Sequence, residues 1–220
     1  MTPKDQSQAM RTICANVPVI PVLVIDDPKI ARPLAEALVE GGLPVLEVTL
    51  RTPAALPAIE AMDQVPGAIV GAGTLRCTRD VELATSAGAQ FGVSPGCTTA
   101  LVKASEYAAL PLLPGASTAS EVMSLSDCGY DMLKFFPAEA SGGVKMMGNL
   151  AGPFPEISFC PTGGITKDNF AMYMACPTVR CVGGSWIATR DMIRDHDWCA
   201  VRQIAQETCE MAKANEPHSS

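Results

Sequence analysis

The chain has 220 residues, a hydrophobic fraction of 48%, a formal net charge of −7 and a sequence pI near 4.8. This length fits one large domain, and the apolar fraction is enough for a sizeable core. The acidic balance argues against nucleic-acid binding, and no apolar run approaches the roughly 18 residues of a membrane span.

The N-terminus and the cysteine pattern favour a cytoplasmic protein without a disulfide framework. The first ten residues lack the apolar core of a signal peptide. The nine cysteines are scattered and form no CxxC pair, so they are expected to be reduced. Only two histidines occur, His196 and His218, so a histidine-rich catalytic metal site or a Ser-His-Asp triad is hard to build. We expect neither a metal nor a cofactor.

Short apolar runs of strand character alternate with helical segments along the chain. The runs occupy residues 17–25, 44–50, 68–73, 90–94, 110–113, 131–136, 157–161 and 179–182. Helix-like apolar spacing is clearest at residues 30–39, 54–62 and 81–87. Eight such units in this length predict an α/β protein, a (β/α)8 TIM barrel. A doubly wound open sheet is the alternative, but it requires fewer strands or a glycine-rich turn after the first one.

The whole chain, 1–220, is predicted to form this one barrel domain. An extra N-terminal helix is expected around residues 4–15, within a segment 1–16 that precedes the first strand. A C-terminal helix is expected around residues 198–213, and the polar tail 214–220 is expected to be frayed.

In a barrel of this kind, chemistry occupies the carboxyl ends of the strands, so polar residues within apolar runs are informative. Strand two carries Glu47, Thr49 and Arg51 on one face, since side chains alternate along a strand. If that face is inward, Glu47 is a candidate general acid/base and Arg51 a clamp for a carboxylate. A buried Glu47–Arg51 ion pair is the structural alternative.

Lys134 lies inside the apolar run 131–136 and shares a strand face with Phe136. A buried cation costs free energy unless it is paired or sheds its proton, and a neutral amine is the nucleophile that Schiff-base enzymes use. A lysine whose head group reaches water from the strand end is the other interpretation. For Phe136, simple core packing is the more common explanation for a lone aromatic residue.

Small residues follow the other strands. Two glycine pairs, Gly163-Gly164 and Gly183-Gly184, come after the last two predicted strands, and Ser185 follows the second pair. Backbone N–H groups and a serine hydroxyl in these positions match the usual phosphate site of such barrels. Thr74 and the turn at Pro95 end strands three and four, where a structural role is as consistent as a binding role.

These parts together favour a class I aldolase that acts on a phosphorylated 2-keto acid. The ketone would meet Lys134, the carboxylate would meet Arg51, and the phosphate would lie at the far end. A phosphosugar isomerase or epimerase on the same barrel, or a barrel that only binds phosphoesters, remains an alternative.

The motifs also resemble a known family, the bacterial 2-dehydro-3-deoxy-6-phosphogluconate aldolases. The motifs are LEVTLRT (46–52), VGAGT (70–74), SPG (94–96), KFFPA (134–138), PTGGI (161–165) and GGSW (183–186). The resemblance runs from about residue 17 to residue 187. It implies a (β/α)8 barrel that is usually a homotrimer. It also implies reversible cleavage to pyruvate and D-glyceraldehyde 3-phosphate, as in the Entner–Doudoroff pathway.

The resemblance also implies roles for individual residues. Lys134 corresponds to the Schiff-base lysine, and Glu47 to the residue that transfers protons through water. The contacts to the pyruvyl end and the phosphate are implied for Arg51, Thr74, Pro95, Phe136, Thr162, Gly163, Gly164, Gly184 and Ser185. Relatives that act on the phosphogalactonate epimer or on 4-hydroxy-2-oxoglutarate leave those substrates as alternatives.

Overall fold

Parallel strands that alternate with helices make up the fold in the computed structural model, which describes residues 1–15 and 17–214. Over those residues the strands are β1 (Val19–Leu23), β2 (Val45–Thr49), β3 (Ile69–Gly73), β4 (Phe91–Val93), β5 (Leu112–Leu113), β6 (Gly115–Ala116), β7 (Met132–Phe135), β8 (Ser158–Pro161) and β9 (Val182–Gly184). The helices are α1 (Pro3–Ala15), α2 (Ala31–Glu40), α3 (Ala55–Asp63), α4 (Thr78–Ser86), α5 (Thr99–Ala108), α6 (Ala119–Asp127), α7 (Gly143–Ala151), α8 (Phe170–Met174), α9 (Arg190–Arg194) and α10 (Trp198–Ala214). The predicted α/β class with parallel strands is confirmed.

The strands pair in chain order. One sheet has the order β5-β4-β3-β2-β1-β9, and a second has the order β6-β7-β8. All of these pairings are parallel. A single bridge from Thr162 to Gly183 joins the end of β8 to β9. The order contains no reversal of direction, so it does not match the doubly wound open sheet.

The predicted fifth strand, 110–113, is divided differently in the structure. Pro114 separates β5, which pairs with β4, from β6, which pairs with β7. Proline has no N–H to give to a ladder, so it interrupts the strand, although its carbonyl still accepts a hydrogen bond from the Lys134 N–H at 2.9 Å. The described residues therefore contain nine strand segments where eight runs were predicted.

The last strand also lies later than predicted. Residue Val179 makes only an isolated bridge to Phe159, whereas β9 covers Val182–Gly184 and pairs with β1 from Val19 onward. The sequence pattern places the glycine pair after the predicted strand, and glycine has low strand propensity. Parallel pairing with β1 overrides that preference, so Gly183 and Gly184 belong to the strand itself.

Helix α2 buries one of its faces. Its buried residues recur at the three- and four-residue spacing of one helix face. They are Ala31, Leu34, Ala35, Ala37 and Leu38. β2 and β7 are buried along their whole length, which places any polar side chain on these two strands in the interior.

Helix α1 precedes β1, where the N-terminal helix was expected, and it is fixed by polar contacts. Arg11 donates hydrogen bonds to the Asp131 carboxylate at 2.9 Å and to the Ser158 hydroxyl at 2.7 Å, at the starts of β7 and β8. Ala214 is the last residue of α10, and the rest of the predicted tail lies outside the described residues. Over the described part of the chain, no helix combines the length and the apolar character needed to cross a membrane.

Candidate active site

Two oppositely charged side chains meet in the interior of the fold. Lys134 lies on β7, in register with Gly115 on one side and Cys160 on the other. Glu47 lies on β2, in register with Val22 and Gly71. The Lys134 Nζ atom donates a hydrogen bond to Glu47 Oε1 at 3.4 Å, so the structure brings together the two residues predicted to share the interior.

The burial of this pair is nearly complete. Lys134 is 6% exposed and Glu47 is 3% exposed. Removing two charges from water has a large desolvation cost, and replacing buried ion pairs by apolar residues often stabilises a protein. A pair that is poor for stability but well placed for proton transfer is typical of a reacting centre. The interpretation in which Lys134 reaches out to water is therefore wrong.

The carboxylate of Glu47 fits because the neighbouring strand carries no side chain beside it. A Cβ atom on Gly73 would lie 2.2 Å from Glu47 Oε1 and 2.7 Å from its Cγ atom. Gly73 is the last residue of β3 and is itself buried. Gly73, the second glycine of the motif VGAGT, therefore leaves the space that the Glu47 carboxylate occupies.

We expect Gly73→Ala to displace Glu47 and to lower both stability and activity. Overpacking of a buried site costs about 1–3 kcal/mol of unfolding free energy, and the shifted carboxylate loses its contact with Lys134. Urea unfolding and steady-state kinetics on the same preparation would measure both effects.

Gly148→Ala is the matched control for this substitution. Gly148 lies in α7, and a Cβ atom there would meet nothing within 4 Å. Alanine is favoured over glycine inside a helix by roughly 1 kcal/mol, so this variant should be at least as stable as the parent and fully active. A Gly73→Ala protein with parental stability and kinetics would contradict the assigned packing around Glu47.

An aromatic ring forms one wall beside the amine. The Lys134 Nζ atom lies 5.2 Å from the centroid of the Phe136 ring, within the range of a cation–π interaction. Phe136 follows the last residue of β7 and is half-buried. Its position beside the amine indicates a wall of the site.

Thr162 supplies a hydroxyl on the next strand edge. Its N–H donates to the Phe135 carbonyl at 2.9 Å, and its side chain is 7% exposed. The Oγ1 atom is buried and has no hydrogen-bond partner within residues 1–15 and 17–214. Thr162 thus lies directly after β8, whose last residue pairs with Phe135 of the strand that carries Lys134.

The two glycine pairs lie next to each other. Gly163 and Gly164 have φ values of 101° and 79°, a conformation that side-chain-bearing residues rarely adopt. The Thr162–Gly183 bridge sets this turn beside Gly184 and the exposed Ser185. Of the predicted phosphate contacts, three thus lie in loops and Gly184 ends β9.

Arg51 does not occupy the predicted inward position on strand two. β2 ends at Thr49, and the Arg51 N–H donates to the Thr49 carbonyl at 2.7 Å in a tight turn. The turn leaves Arg51 exposed, and the predicted alternation of side chains stops before it. The Glu47–Arg51 ion pair is excluded, because the cation that contacts Glu47 is Lys134.

The two remaining predicted residues lie at strand ends. Thr74 directly follows β3, is half-buried, and has a φ value of 65°, which is unusual for a residue other than glycine. Strained backbone of this kind is frequent at functional sites. Pro95 lies in the exposed turn after β4.

A cavity of about 350 Å³ opens at the carboxyl ends of three adjacent strands. The cavity is lined by Arg51, which follows β2, by Val22 of β1, and by Ser185, which follows β9. Val22 is also the register neighbour of Glu47 on β2, so one strand that lines the cavity pairs with the strand that carries Glu47. Arg190, at the first position of α9, lines the same cavity, and neither spacing nor composition had singled it out.

The functional groups around this site are suited to covalent and acid/base chemistry. They are an amine, a carboxylate, hydroxyls and two guanidinium groups. Across the described residues, no group of three or more histidine, cysteine, aspartate or glutamate side chains is arranged to hold a metal ion.

Comparison with known proteins gives one consistent family. A family model described as KDPG and KHG aldolase matches residues 10–204. The chain is 49% identical to the 2-dehydro-3-deoxy-phosphogluconate aldolase of Dickeya dadantii over 212 residues, which cover 96% of this chain and 100% of that protein.

Solved structures agree with this result. The fold is similar to the 2-keto-3-deoxy-6-phosphogluconate aldolase of Zymomonas mobilis in a structure with 3-phosphoglycerate (TM-score 0.89, 45% identity, 92% of this chain and 96% of that one). It is also similar to the KDPG aldolase of Legionella pneumophila, in which pyruvate was captured as a covalent carbinolamine (TM-score 0.88, 43% identity, 90% and 97%).

Proposed function

Because the chain belongs to the KDPG and KHG aldolase family, we propose that it is a class I aldolase with Lys134 as its Schiff-base residue. Its substrate is 2-dehydro-3-deoxy-6-phospho-D-gluconate (KDPG), which it cleaves reversibly to pyruvate and D-glyceraldehyde 3-phosphate. The observation that carries the proposal is the buried contact of 3.4 Å between Lys134 Nζ and Glu47 Oε1. A phosphosugar isomerase needs no such covalent amine, so that alternative loses its support.

The reaction proceeds through an imine. Glu47 takes a proton from Lys134, the amine adds to the C2 ketone, and that proton then leaves with the carbinolamine hydroxyl as water, which gives an iminium ion. Removal of the C4 hydroxyl proton lets the C3–C4 bond break, its electron pair enters the iminium system as an enamine, and the aldehyde leaves. Return of a proton to C3 and addition of water then release pyruvate and free lysine.

Glu47 transfers the protons in these steps, acting through water. Its carboxylate contacts the Lys134 nitrogen, the atom where the imine forms. A positioned carboxylate of this kind typically contributes about 10²–10⁴-fold to the rate. The Phe136 ring lies 5.2 Å from the amine and forms a wall beside it.

The two ends of the substrate are anionic and are held separately. The pyruvyl carboxylate is assigned to Arg51, Thr74 and the turn at Pro95, with Thr162 beside the reacting carbon. The phosphate is assigned to backbone groups of the glycine pairs and to the Ser185 hydroxyl. This assignment is supported by the bridge between Thr162 and Gly183, which joins the two glycine segments.

The relatives support both halves of the substrate. The Legionella pneumophila protein carries pyruvate as a covalent carbinolamine, and the Zymomonas mobilis protein was solved with 3-phosphoglycerate, a phosphorylated three-carbon acid. An imine on Lys134 and a phosphate near Ser185 are the corresponding features in this chain.

We also infer that the strands close into a (β/α)8 TIM barrel. The inference is supported by the pairing of β9 with β1, by the Thr162–Gly183 bridge, and by the single residue between β5 and β6. A homotrimer and a role in the Entner–Doudoroff pathway belong to the same proposal and are supported by the family resemblance alone. A cytoplasmic location also belongs to it and is supported by the scattered cysteines.

The substrate is tested by measuring pyruvate release from three candidate keto acids with a lactate dehydrogenase coupling. We expect the highest kcat/KM for KDPG, and lower values for its galactonate epimer and for 4-hydroxy-2-oxoglutarate. The second of these is an alternative because the matching family includes KHG aldolases. A higher kcat/KM for 4-hydroxy-2-oxoglutarate would overturn the assigned substrate, and no pyruvate from any of the three would overturn the aldolase assignment.

A further inference from the structure

Two arginines at the mouth of the site have no anionic partner in the described part of the chain. No carboxylate of residues 1–15 or 17–214 lies within 4.0 Å of the guanidinium groups of Arg51 or Arg190. Asp26 and Asp27 line an adjacent cavity with Arg190, yet neither pairs with it. Arg194, on the same helix as Arg190, is instead paired with Asp191 at 2.7 Å and with Asp195 at 2.8 Å.

These two arginines converge on one space. Both line the 350 Å³ cavity, where the Ser185 hydroxyl lies between the end of β9 and the start of α9. The protein as a whole has a net charge of −7, so two uncompensated cations in one concave site are a local reversal of its charge. Clefts lined by one sign of charge concentrate ligands of the opposite sign.

We propose that Arg190 extends the phosphate subsite and is a specificity-determining residue for the phosphorylated substrate. This inference rests on the function proposed above and adds a charged side chain to a subsite otherwise built from backbone groups and a serine. A phosphate carries nearly two negative charges and several acceptor oxygens, which suit an arginine fork.

The position of Arg190 favours the phosphate over the carboxylate end of the substrate. Arg190 and Ser185 belong to the same connection, the one that follows β9, whereas Arg51 follows β2. β1 lies between β2 and β9 in the sheet, so the two arginines stand on opposite sides of it. The two anionic groups of one substrate therefore have separate cations on the two flanks of the cavity.

The test compares KDPG with the same keto acid lacking the phosphate, 2-dehydro-3-deoxygluconate. For Arg190→Ala we expect kcat/KM for KDPG to fall about tenfold, chiefly through KM, and kcat/KM for the unphosphorylated acid to change by less than about twofold. The inhibition constant of inorganic phosphate should rise by about tenfold. Arg190→Lys should recover part of the loss, because it keeps the charge without the fork.

Arg194→Ala is the matched control, because it removes a cation from the same helix that already has its own carboxylate partners. Its kinetics should equal those of the parent for both substrates. The proposal would be overturned if Arg190→Ala lowered kcat/KM equally for both substrates, or left the KM for KDPG unchanged. It would also be overturned if the variant formed a borohydride-reduced adduct with pyruvate more slowly than the parent.

Failure of the proposed function would be recognised separately. In that case the parent protein would not turn over KDPG or capture pyruvate at all. Calorimetric titration with inorganic phosphate would still compare the parent with Arg190→Ala, and weaker binding to the variant would support the anion site independently of catalysis.

Discussion

Replacement of Lys134 by arginine is expected to abolish turnover, with a loss on the order of 10³-fold or more. Arginine keeps the positive charge beside Glu47 but forms no imine with a ketone, so the covalent route is lost. Incubation of the parent protein with pyruvate and borohydride should give a reduced adduct that peptide mass spectrometry maps to Lys134. The variant should give no adduct.

The controls separate loss of chemistry from loss of fold. Lys103→Arg changes an exposed lysine on α5 and should leave both adduct and activity intact. Because arginine is bulkier than lysine in a buried position, Lys134→Met is a second variant that keeps the length of the side chain without the amine. Circular dichroism should show a folded protein for at least one of the two. An adduct on another lysine, or normal turnover in a folded variant, would remove Lys134 from its role.

The order of elements could be predicted because each strand is a buried apolar run and helices alternate with the strands. The exceptions are positions where the pairing of strands, and not the local composition, decides whether a strand forms. Pro114 divides one predicted strand because it lacks an N–H. Gly183 and Gly184 look like a turn in the sequence, yet β9 forms there because β1 offers a parallel partner. Such partners are distant in sequence and cannot be recognised from local spacing.

The contact between Lys134 and Glu47 followed from alternation along two strands, which predicts that both side chains face the interior. The same alternation failed for Arg51, because the strand ends two residues earlier in a tight turn. Arg190 could not be recognised at all, since an arginine at the start of a short helix is usually a solvated charge. Only the three-dimensional neighbourhood shows that it shares a cavity with Ser185 and Arg51.

Glu47→Gln is expected to lower kcat by about 10²–10⁴-fold while leaving capture of pyruvate on Lys134 possible after long incubation. Glutamine has nearly the same shape and can still accept a hydrogen bond from the Lys134 nitrogen, but it cannot take up a proton. Exchange of the pyruvate methyl protons with deuterated water, followed by NMR, measures this proton transfer alone. The variant should bind pyruvate as an imine and yet exchange its methyl protons far more slowly than the parent.

The Glu47→Gln protein must be folded under the assay conditions before a loss of activity can be assigned to proton transfer. Removing one partner of a buried ion pair typically costs about 3–5 kcal/mol, because the remaining charge is left without compensation. Urea unfolding would set the conditions under which the variant is folded. Glu36→Gln, in an exposed pair with Arg32, is the matched control and should lose less than about 1 kcal/mol and no activity. Glu47→Asp keeps the acid but withdraws it by one methylene from a contact of 3.4 Å, so partial exchange is expected. Methyl exchange at the parental rate in folded Glu47→Gln would show that another group transfers the proton, with Glu47 left as a partner for the charge of Lys134.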